Sequence, residues 1–241
     1  MNRKLSVIVP VFNEEKTVGV IIERLLAVPF VGWDTEIIAV NDGSSDNSLA
    51  ILESFSSRIK IINLSKNGGK GNAVKTGIDV STGDYAIIQD ADLECKPEEI
   101  PLLLSALKNV SQNTKIAVMG SRELRGARDH KSQFLPRFGS VFITKLINFL
   151  YSTTLTDTLM GYKLFPKSTF GYFDAGGFES EMLFLVRLLE EGYRILEIPV
   201  SYIPRSTGEG KKIKYRHGIK IIFKILTFWL KNRFMRKRVS S

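Results

Sequence analysis

The feature that most constrains the fold is a regular alternation of short apolar runs with segments of helical periodicity. Five apolar runs occupy the chain up to residue 120, with a helical segment between successive runs, and each run is short enough to be a buried strand. Strands that alternate with single helices are joined by crossovers, which place the strands parallel in one sheet. The sequence therefore predicts an α/β fold: a single doubly wound, mainly parallel sheet with helices on both faces. The predicted strands are 5–11, 35–40, 60–64, 84–89 and 115–120.

Polar residues follow these predicted strands at the points where ligands of such sheets bind. Asp42, Asp90 and Arg122 each come directly after an apolar run, and Lys70 follows the third run through a glycine-rich loop. The carboxyl ends of parallel strands share one edge of the sheet. We therefore expect these four side chains to lie on one rim.

The acidic spacing after the fourth strand indicates a metal site. Asp90, Asp92 and Glu94 alternate along the chain, and residues two apart share a face if the backbone stays extended. Carboxylate oxygens that converge need a cation opposite them, and Mg²⁺ or Mn²⁺ fits this chemistry. The alternative is a solvated loop in which Asp90 or Asp92 caps a helix that begins near Pro97.

The two common nucleotide-binding motifs are missing from the sequence. No GxGxxG follows the first strand, and the GGKGN at 68–72 lacks the spacing and the hydroxyl of a P-loop. A nucleotide would therefore be held by a different arrangement.

The positive charge is concentrated at one end of the 241-residue chain. Residues 205–241 contain twelve Lys and Arg and one acid, whereas the rest of the chain is nearly balanced within a total of +9. A local basic segment favours anionic lipid or phosphate over a nucleic acid as its partner. The N-terminal residues lack the pattern of a signal peptide, which predicts a cytoplasmic location.

The second half of the chain adds helices at 134–151, 179–191 and 215–234, and a strand at 193–203. The last helix places Lys220, Lys224, Thr227 and Lys231 on one stripe and apolar residues opposite them, which suits a helix at a membrane surface. A helix packed on its own domain is the alternative. We therefore divide the chain into a domain at 1–212 and a basic amphipathic helix and tail at 213–241.

Eight motifs in a fixed order resemble those of family 2 glycosyltransferases of the GT-A fold, and especially those of polyprenyl-phosphate (dolichyl-phosphate) mannosyl- and glucosyltransferases. The resemblance covers residues 5 to about 220. The motifs are VPVFNEE (9–15), NDGSSDNS (41–48), NGGKGNAVKTGI (67–78), GDYAIIQDADLE (83–94), MGSR (119–122), DTLMGYKLF (157–165), FESEMLFL (178–185) and IPRSTGEGKK (203–212).

The resemblance implies a role for each matching residue. Asp92 and Glu94 would hold Mg²⁺ or Mn²⁺, although the family often has Gln where this chain has Glu94. Residues that would bind the nucleotide sugar are Pro10, Phe12, Glu14, Val40, Asp42, Asp90 and Ala91, with Asp42 accepting a hydrogen bond from the base. Residues that would act in catalysis are Asp90, Asp92, Arg122, Arg137, Arg205 and Lys211, the cations holding the donor diphosphate and the acceptor phosphate.

The resemblance further implies an inverting, metal-dependent hexosyltransferase that uses GDP-mannose or UDP-glucose and a polyprenyl (dolichyl or undecaprenyl) phosphate. Its location would be peripheral, on the cytoplasmic side of a membrane, with contact through residues 134–151 and 215–235 and no nucleic acid partner. A separate membrane-anchoring subunit is compatible with this scheme.

Two alternatives remain open from the sequence. One is transfer to a glycan hydroxyl, which needs a general base, and Glu181 is the candidate. The other is a membrane-surface or nucleic-acid binding protein without catalysis. A phosphate acceptor needs no base, because its second pKa near 6 leaves it ionised at pH 7.

Overall fold

The computed structural model describes residues 3–108, 110, 114–124, 134–205 and 215–239, and for 134–138, 215–217 and 234–239 it describes the backbone only. Seven strands form one sheet in the order β3-β2-β1-β4-β6-β5-β7. All neighbouring strands are parallel except β6, which is antiparallel to both β4 and β5. The strands are β1 (Arg3–Val11), β2 (Trp33–Asn41), β3 (Lys60–Asn63), β4 (Tyr85–Ile88), β5 (Ile116–Ser121), β6 (Lys163–Pro166) and β7 (Arg194–Pro199).

Helices cover both faces of this sheet. The α-helices are α1 (Val18–Ala27), α2 (Ser48–Glu53), α3 (Lys70–Asp79), α4 (Ile100–Ser105), α5 (Phe134–Tyr151), α6 (Glu179–Glu190) and α7 (Tyr215–Val239), and 3₁₀ turns span Pro97–Glu99 and Lys167–Tyr172. Alternate residues of β1 explain the two layers, since side chains of a strand point to opposite faces. Val7 and Val9 pack with α1 and α4, whereas Ile8 packs with α3 and α6. The predicted doubly wound, mainly parallel α/β sheet is confirmed.

The sequence analysis missed β6, which lies between β4 and β5. Its apolar part is short and follows a glycine, so it shows too little alternation for a strand prediction. It is held by its neighbours, because Ala86 pairs with Phe165 and Val118 pairs with Leu164. The insertion of β6 carries the segment 157–163 to the rim where the predicted site residues lie.

The predicted start of the first helix is also wrong. The sequence predicts that Asn13 caps a helix over about 14–27, but α1 begins at Val18. Asn13 has a φ of +51°, and its side-chain oxygen accepts a bond from the Ser45 N–H at 2.8 Å. Asn13 therefore joins the loops after β1 and β2, and a turn separates it from the helix.

The last helix packs on the domain. Ile221 and Ile225 are buried against Leu185 of α6 and Ile147 of α5. No helix among the described residues is both long and apolar enough to cross a membrane. The inner face of α7 therefore fits the alternative prediction, a helix packed on its own domain. The domain boundary at 212 stays a prediction.

Candidate active site

The carboxyl ends of β1, β2 and β4 bring the predicted acidic residues to one edge of the sheet. The strands run in parallel register, with Val11 opposite Asn41 and Ile8 opposite Ile88. The segments that leave these strands contain Glu14, Asp42 and the turn at 90–94. Two of the four side chains expected on this rim are in contact, since the Lys70 ammonium lies 2.5 Å from Asp90 Oδ1.

Asp42 fastens the glycine-rich loop before α3. Its two carboxylate oxygens accept bonds from the Gly68 and Gly69 N–H groups, both at 2.8 Å. Burial raises the pKa of Asp42 above its usual value, and these backbone bonds oppose the rise. The Asn41 side-chain amide donates to the side-chain oxygen of Asn63 in β3 at 2.8 Å. The recognition of the base by Asp42 stays a prediction. The same carboxylate also bonds the backbone of the glycine-rich loop.

The turn at 90–94 does not hold three converging carboxylates, so that expectation is wrong. Leu93 has a φ of +62°, which turns the chain out of the extended conformation on which the convergence depended. The Asp92 side chain accepts a bond from the Glu94 N–H at 3.1 Å. Among residues that the structure describes, no group of three or more His, Cys, Asp or Glu side chains is arranged around a metal position.

Asp90 lies at one end of a chain of alternating charges, which we call the lysine–carboxylate chain (Lys163, Glu181, Lys70 and Asp90); Lys163 and Glu181 are buried, and Lys70 and Asp90 are partly exposed. The Lys70 ammonium contacts Asp90 Oδ1 at 2.5 Å and Glu181 Oε1 at 2.8 Å. Glu181 Oε2 lies 3.2 Å from the Lys163 ammonium, which also donates to the Met160 carbonyl. Two cations and two anions balance here, so each buried charge has a partner.

The chain of charges also sets the ionisation of Glu181. Burial alone would raise the pKa of this carboxyl, but the ammonium groups of Lys70 and Lys163 hold the pKa below its usual value. Glu181 is 6% exposed, and both of its oxygens face ammonium groups. A carboxylate in this state is a poor proton acceptor at neutral pH.

Gly161 makes room for Asp90. A Cβ built at Gly161 would lie 2.6 Å from Asp90 Oδ2, which is closer than real contacts allow. Any side chain at this position would displace the carboxylate from Lys70. The glycine of the 157–165 motif is thus explained by close approach.

Glu94 binds the segment after β7. Its Oε2 accepts the Tyr202 hydroxyl at 2.5 Å, and its Oε1 accepts the Arg205 N–H at 3.0 Å. Its carbonyl oxygen accepts the Ile203 N–H at 2.9 Å. The predicted metal ligand Glu94 therefore has both carboxylate oxygens bonded within the protein.

Arg205 reaches across the turn to two other acids. Its guanidinium donates to Glu14 Oε2 at 2.8 Å and to the Asp92 carbonyl at 2.9 Å, and it lies 3.9 Å from Asp92 Oδ2. The structure thus brings together Glu14, Asp92, Glu94 and Arg205, which were all predicted as site residues. We call them the acidic turn cluster.

Arg122 is held on the other side of Tyr202. Its guanidinium forms a bidentate pair with Asp157, at 2.6 and 2.7 Å, and lies 4.8 Å from the centre of the Tyr202 ring. The Asp157 N–H and the Thr156 N–H donate to Glu197 of β7. Arg122 is therefore fixed in position by a buried carboxylate, and its predicted role with phosphate stays a prediction.

The other predicted site residues differ in burial, and two of them lie partly or wholly outside the described residues. Val40 is fully buried in a cluster with Ile38 and Ala73, so its side chain belongs to the core. Ala91 is also buried, and Pro10 and Phe12 are half-buried at the end of β1. The Arg137 side chain and all of Lys211 lie outside the described residues.

The sequence analysis missed Lys163, Asp157, Glu197 and Tyr202. Asp157 and Lys163 stand in the 157–165 motif, which was recognised without a chemical role for either of them. Glu197 and Tyr202 belong to a predicted strand with no motif of its own. Their importance follows from partners that are distant in sequence, which local patterns do not reveal.

A divalent cation fits the cluster through Asp92. This carboxylate is partly exposed, and among the described residues its Oδ1 accepts the Glu94 N–H while its Oδ2 lies 3.9 Å from Arg205. Mg²⁺ commonly takes one or two carboxylates together with substrate phosphates and water. The donor set that the described residues offer is thus one carboxylate completed by a diphosphate.

Comparisons with known proteins agree with this geometry. The dolichol-phosphate mannosyltransferase of Pyrococcus furiosus is 27% identical over 213 residues, which cover 86% of this chain and 59% of that protein. The undecaprenyl-phosphate 4-deoxy-4-formamido-L-arabinose transferase of Enterobacter sp. (strain 638) is 41% identical over 107 residues, 42% of this chain and 33% of the relative. The chain thus spans between one third and three fifths of the length of these relatives.

Solved structures share the fold. The glucosyl-3-phosphoglycerate synthase of Mycobacterium tuberculosis with uridine diphosphate has a TM-score of 0.69 at 18% identity, covering 94% of this chain and 80% of that one. The same enzyme has been solved with Mg²⁺ and uridine diphosphate, with a TM-score of 0.67 at 19% identity over 93% of this chain and 79% of that one. These similarities confirm the predicted GT-A fold. Residues 6–172 match the family described as "Glycosyl transferase family 2". The chain belongs to glycosyl transferase family 2.

Proposed function

We propose that the chain transfers a hexose from a nucleoside diphosphate sugar to the phosphate of a polyprenyl phosphate, with inversion at the sugar carbon. The observation that carries the choice of acceptor is the state of Glu181. This acid was the candidate base for a hydroxyl acceptor, and it is saturated by Lys70 and Lys163 with a lowered pKa. A phosphate acceptor needs no base, since it is already ionised near neutral pH.

The charges of the acidic turn cluster support a role for a metal. Glu14, Asp92 and Glu94 face Arg205, so the described acids outnumber the described cation. A diphosphate entering this cluster would meet repulsion without added positive charge. Mg²⁺ or Mn²⁺ at Asp92 would supply charge that stabilises the leaving diphosphate.

The chain's own residues would align the two phosphate groups. An acceptor phosphate oxygen attacks the anomeric carbon, and the bond from that carbon to the diphosphate oxygen breaks, releasing the nucleoside diphosphate. Arg122 stacks on Tyr202 and Arg205 bonds the Asp92 carbonyl of the 90–94 turn, and both arginines would hold anions there. Asp42 would read the base of GDP-mannose or UDP-glucose from the loop at 68–69.

The test is a donor and acceptor screen in detergent. Labelled GDP-mannose and UDP-glucose are each offered with short-chain polyprenyl phosphate or with a water-soluble glycan. We expect transfer to the lipid phosphate only, with kcat/KM falling below about pH 6 as the acceptor phosphate takes up its second proton. Transfer to the glycan alone would instead support the hydroxyl alternative.

The location proposed is the cytoplasmic surface of a membrane, reached through α5 and α7. The lysine stripe of α7 differs from the prediction, because Lys220 and Lys224 contact Glu179 of α6 at 2.6 and 2.9 Å. The outward face is apolar instead. Its exposed side chains are Ile219, Phe223, Leu226 and Leu230 on α7, and Phe142 and Phe149 on α5.

Spacing along α7 supports membrane contact by this outward face. Residues 219, 223, 226 and 230 follow one another at helical intervals, so they form a single stripe. Replacing Phe149 and Phe223 by Ser should reduce sedimentation with vesicles. Val31→Ser is the matched control, since Val31 is 88% exposed in the loop before β2, at the opposite edge of the sheet. Equal binding by all three proteins would contradict this surface.

A further inference from the structure

Residues 202–205 lie across the 90–94 turn as a short strap fastened at one carboxylate. Tyr202 and Arg205 bond separate oxygens of Glu94, at 2.5 and 3.0 Å, and the Ile203 N–H bonds the Glu94 carbonyl at 2.9 Å. A single residue thus receives three donors from four consecutive positions. This density of contacts is what fixes the strap.

Tyr202 connects the strap to the second cation of the site. Its ring lies under the Arg122 guanidinium at 4.8 Å, while its hydroxyl donates to Glu94. Burial and the nearby Glu94 carboxylate raise the pKa of Tyr202, which keeps the hydroxyl protonated as a donor. The Tyr202 side chain therefore contacts Arg122 through the face of its ring and Glu94 through its hydroxyl.

Arg205 is oriented by the other end of the strap. With its backbone N–H held on Glu94, its guanidinium reaches Glu14 and the Asp92 carbonyl. The two arginines are thus linked through Tyr202 and Glu94. Release of Glu94 would free the Arg205 N–H and the Tyr202 hydroxyl, whereas Arg122 would keep its pair with Asp157.

We propose that Glu94 and Tyr202 form a latch that positions Arg205 for the acceptor phosphate, next to the Arg122 that Asp157 holds, and that Glu94 serves this latch instead of binding the metal. The latch rests on the proposed function for the identity of the acceptor. Metal binding by Glu94 would compete with the bonds that its oxygens now accept from Tyr202 and Arg205. Turning this carboxylate towards a metal would weaken the strap, whereas Asp92 can bind a cation with the strap in place.

Variants of the latch separate these two roles. Tyr202→Phe keeps the ring under Arg122 and removes only the hydroxyl, Glu94→Ala removes both acceptors, and Glu94→Gln retains one. Asp92→Asn is the comparison for a lost metal ligand. Three quantities are measured: Mn²⁺ affinity in the presence of nucleoside diphosphate, by electron paramagnetic resonance; amide hydrogen exchange at residues 203 and 205; and kcat and KM for short-chain polyprenyl phosphate.

The latch predicts that its variants raise the acceptor KM and leave the Mn²⁺ affinity nearly unchanged. Glu94→Ala and Tyr202→Phe should keep Mn²⁺ affinity within roughly threefold of the parent, while the acceptor KM rises about tenfold or more and amide exchange of the strap accelerates. Glu94→Gln should recover part of the acceptor KM. Asp92→Asn should weaken Mn²⁺ binding by at least about tenfold without faster exchange at residue 203.

Other results would overturn the latch. If Glu94→Ala weakens Mn²⁺ binding as much as Asp92→Asn does, Glu94 is a metal ligand. If Tyr202→Phe matches the parent in acceptor KM and in amide exchange, the hydroxyl bond positions nothing. Should Glu94→Ala fail to fold, Glu94→Gln and Tyr202→Phe decide the question. If the parent transfers no sugar to polyprenyl phosphate, the proposed function fails, and the metal and exchange measurements still decide the latch.

Discussion

Asp90 and Asp92 are two residues apart, yet they lie in opposite electrostatic surroundings. Asp90 belongs to the lysine–carboxylate chain, in which each acid faces an ammonium group. Asp92 belongs to the acidic turn cluster, where Glu14 and Glu94 share the arginine of the strap with it. Among the residues that the structure describes, the first group is balanced in charge, whereas the second has three acids and one arginine.

This difference indicates where a ligand is needed. A balanced buried network is complete within the protein, and its removal leaves uncompensated charges. A cluster with excess acid at a partly exposed rim is stabilised by added cations, whether from a metal or from bound substrate. We therefore expect substitutions at Asp92 to affect ligand binding and substitutions at Lys70 to affect folding.

The largest effect should come from Asp92→Asn, which tests the acidic side of the comparison. We expect turnover to fall by at least roughly a thousandfold, equivalent to about 4 kcal/mol, because the diphosphate loses its metal-supported charge. Thermal unfolding should change little. The control is Asp84→Asn, an exposed acid before the same strand. Near-normal turnover of Asp92→Asn with Mg²⁺ or Mn²⁺ would contradict the metal assignment.

Lys70→Met tests the balanced side. Removing this ammonium leaves Asp90 without its partner and Glu181 with Lys163 alone, so the free energy of unfolding should fall by about 3 kcal/mol. Denaturant unfolding measures the loss. Lys75→Met in the same helix removes only a surface pair with Asp79 and should cost about 0.5 kcal/mol or less. Equal losses of unfolding free energy in the two variants would show that the lysine–carboxylate chain contributes no more to stability than the surface pair does.

Asp42→Ala extends the comparison of Asp90 and Asp92 to a third acid, which is buried and bonded to the glycine-rich loop before α3. Donor binding should weaken by roughly 1.5–3 kcal/mol, since a charged acceptor is lost and the Gly68 and Gly69 N–H groups are released. Calorimetric titration with the preferred donor measures this. Asp34→Ala, at the other end of the same strand, should leave the dissociation constant unchanged. An unchanged constant for Asp42→Ala would remove this residue from the site.

The smallest effect concerns Glu179, which is balanced by lysines from α7. Burial would raise the pKa of Glu179, but Lys220 and Lys224 lower it to about 2 from an ordinary value of 4.5. A lowered acid pKa means that this contribution to stability is complete above pH 4.5 and is lost as the pH falls towards 2. Replacing both lysines by Ala should cost about 1 kcal/mol near neutral pH.

The same double variant should also lose part of the acid sensitivity between pH 4.5 and 2, as measured by denaturant unfolding across that range. Lys231→Ala, further along α7, is the control and should leave the pH profile intact. A profile of the double variant that matches the parent would show that the Glu179 contacts do not anchor α7.

Much of the fold and part of the site could be predicted from local sequence. The alternation of apolar runs and helical segments predicted the sheet, and the polar residues after each strand predicted the shared rim. The helix at α7 was also predicted, but its lysines were assigned to a membrane when two of them bind Glu179. Local periodicity gives the faces of a helix, and it does not say which face meets the protein.

The sequence by itself determined the strands and helices along the chain apart from β6, the acids at the sheet edge and the family, because these depend on neighbouring residues and fixed motifs. Tertiary structure alone decided the partner of each acid. Glu94 meets Tyr202 from 108 positions away, and Glu14 meets Arg205 from 191 positions away. Packing of β6 beside β4, with β5 and β7 following it in the sheet, brings such groups within hydrogen-bond distance. Charge pairing depends on that distance in space, so two carboxylates of one motif acquire different roles.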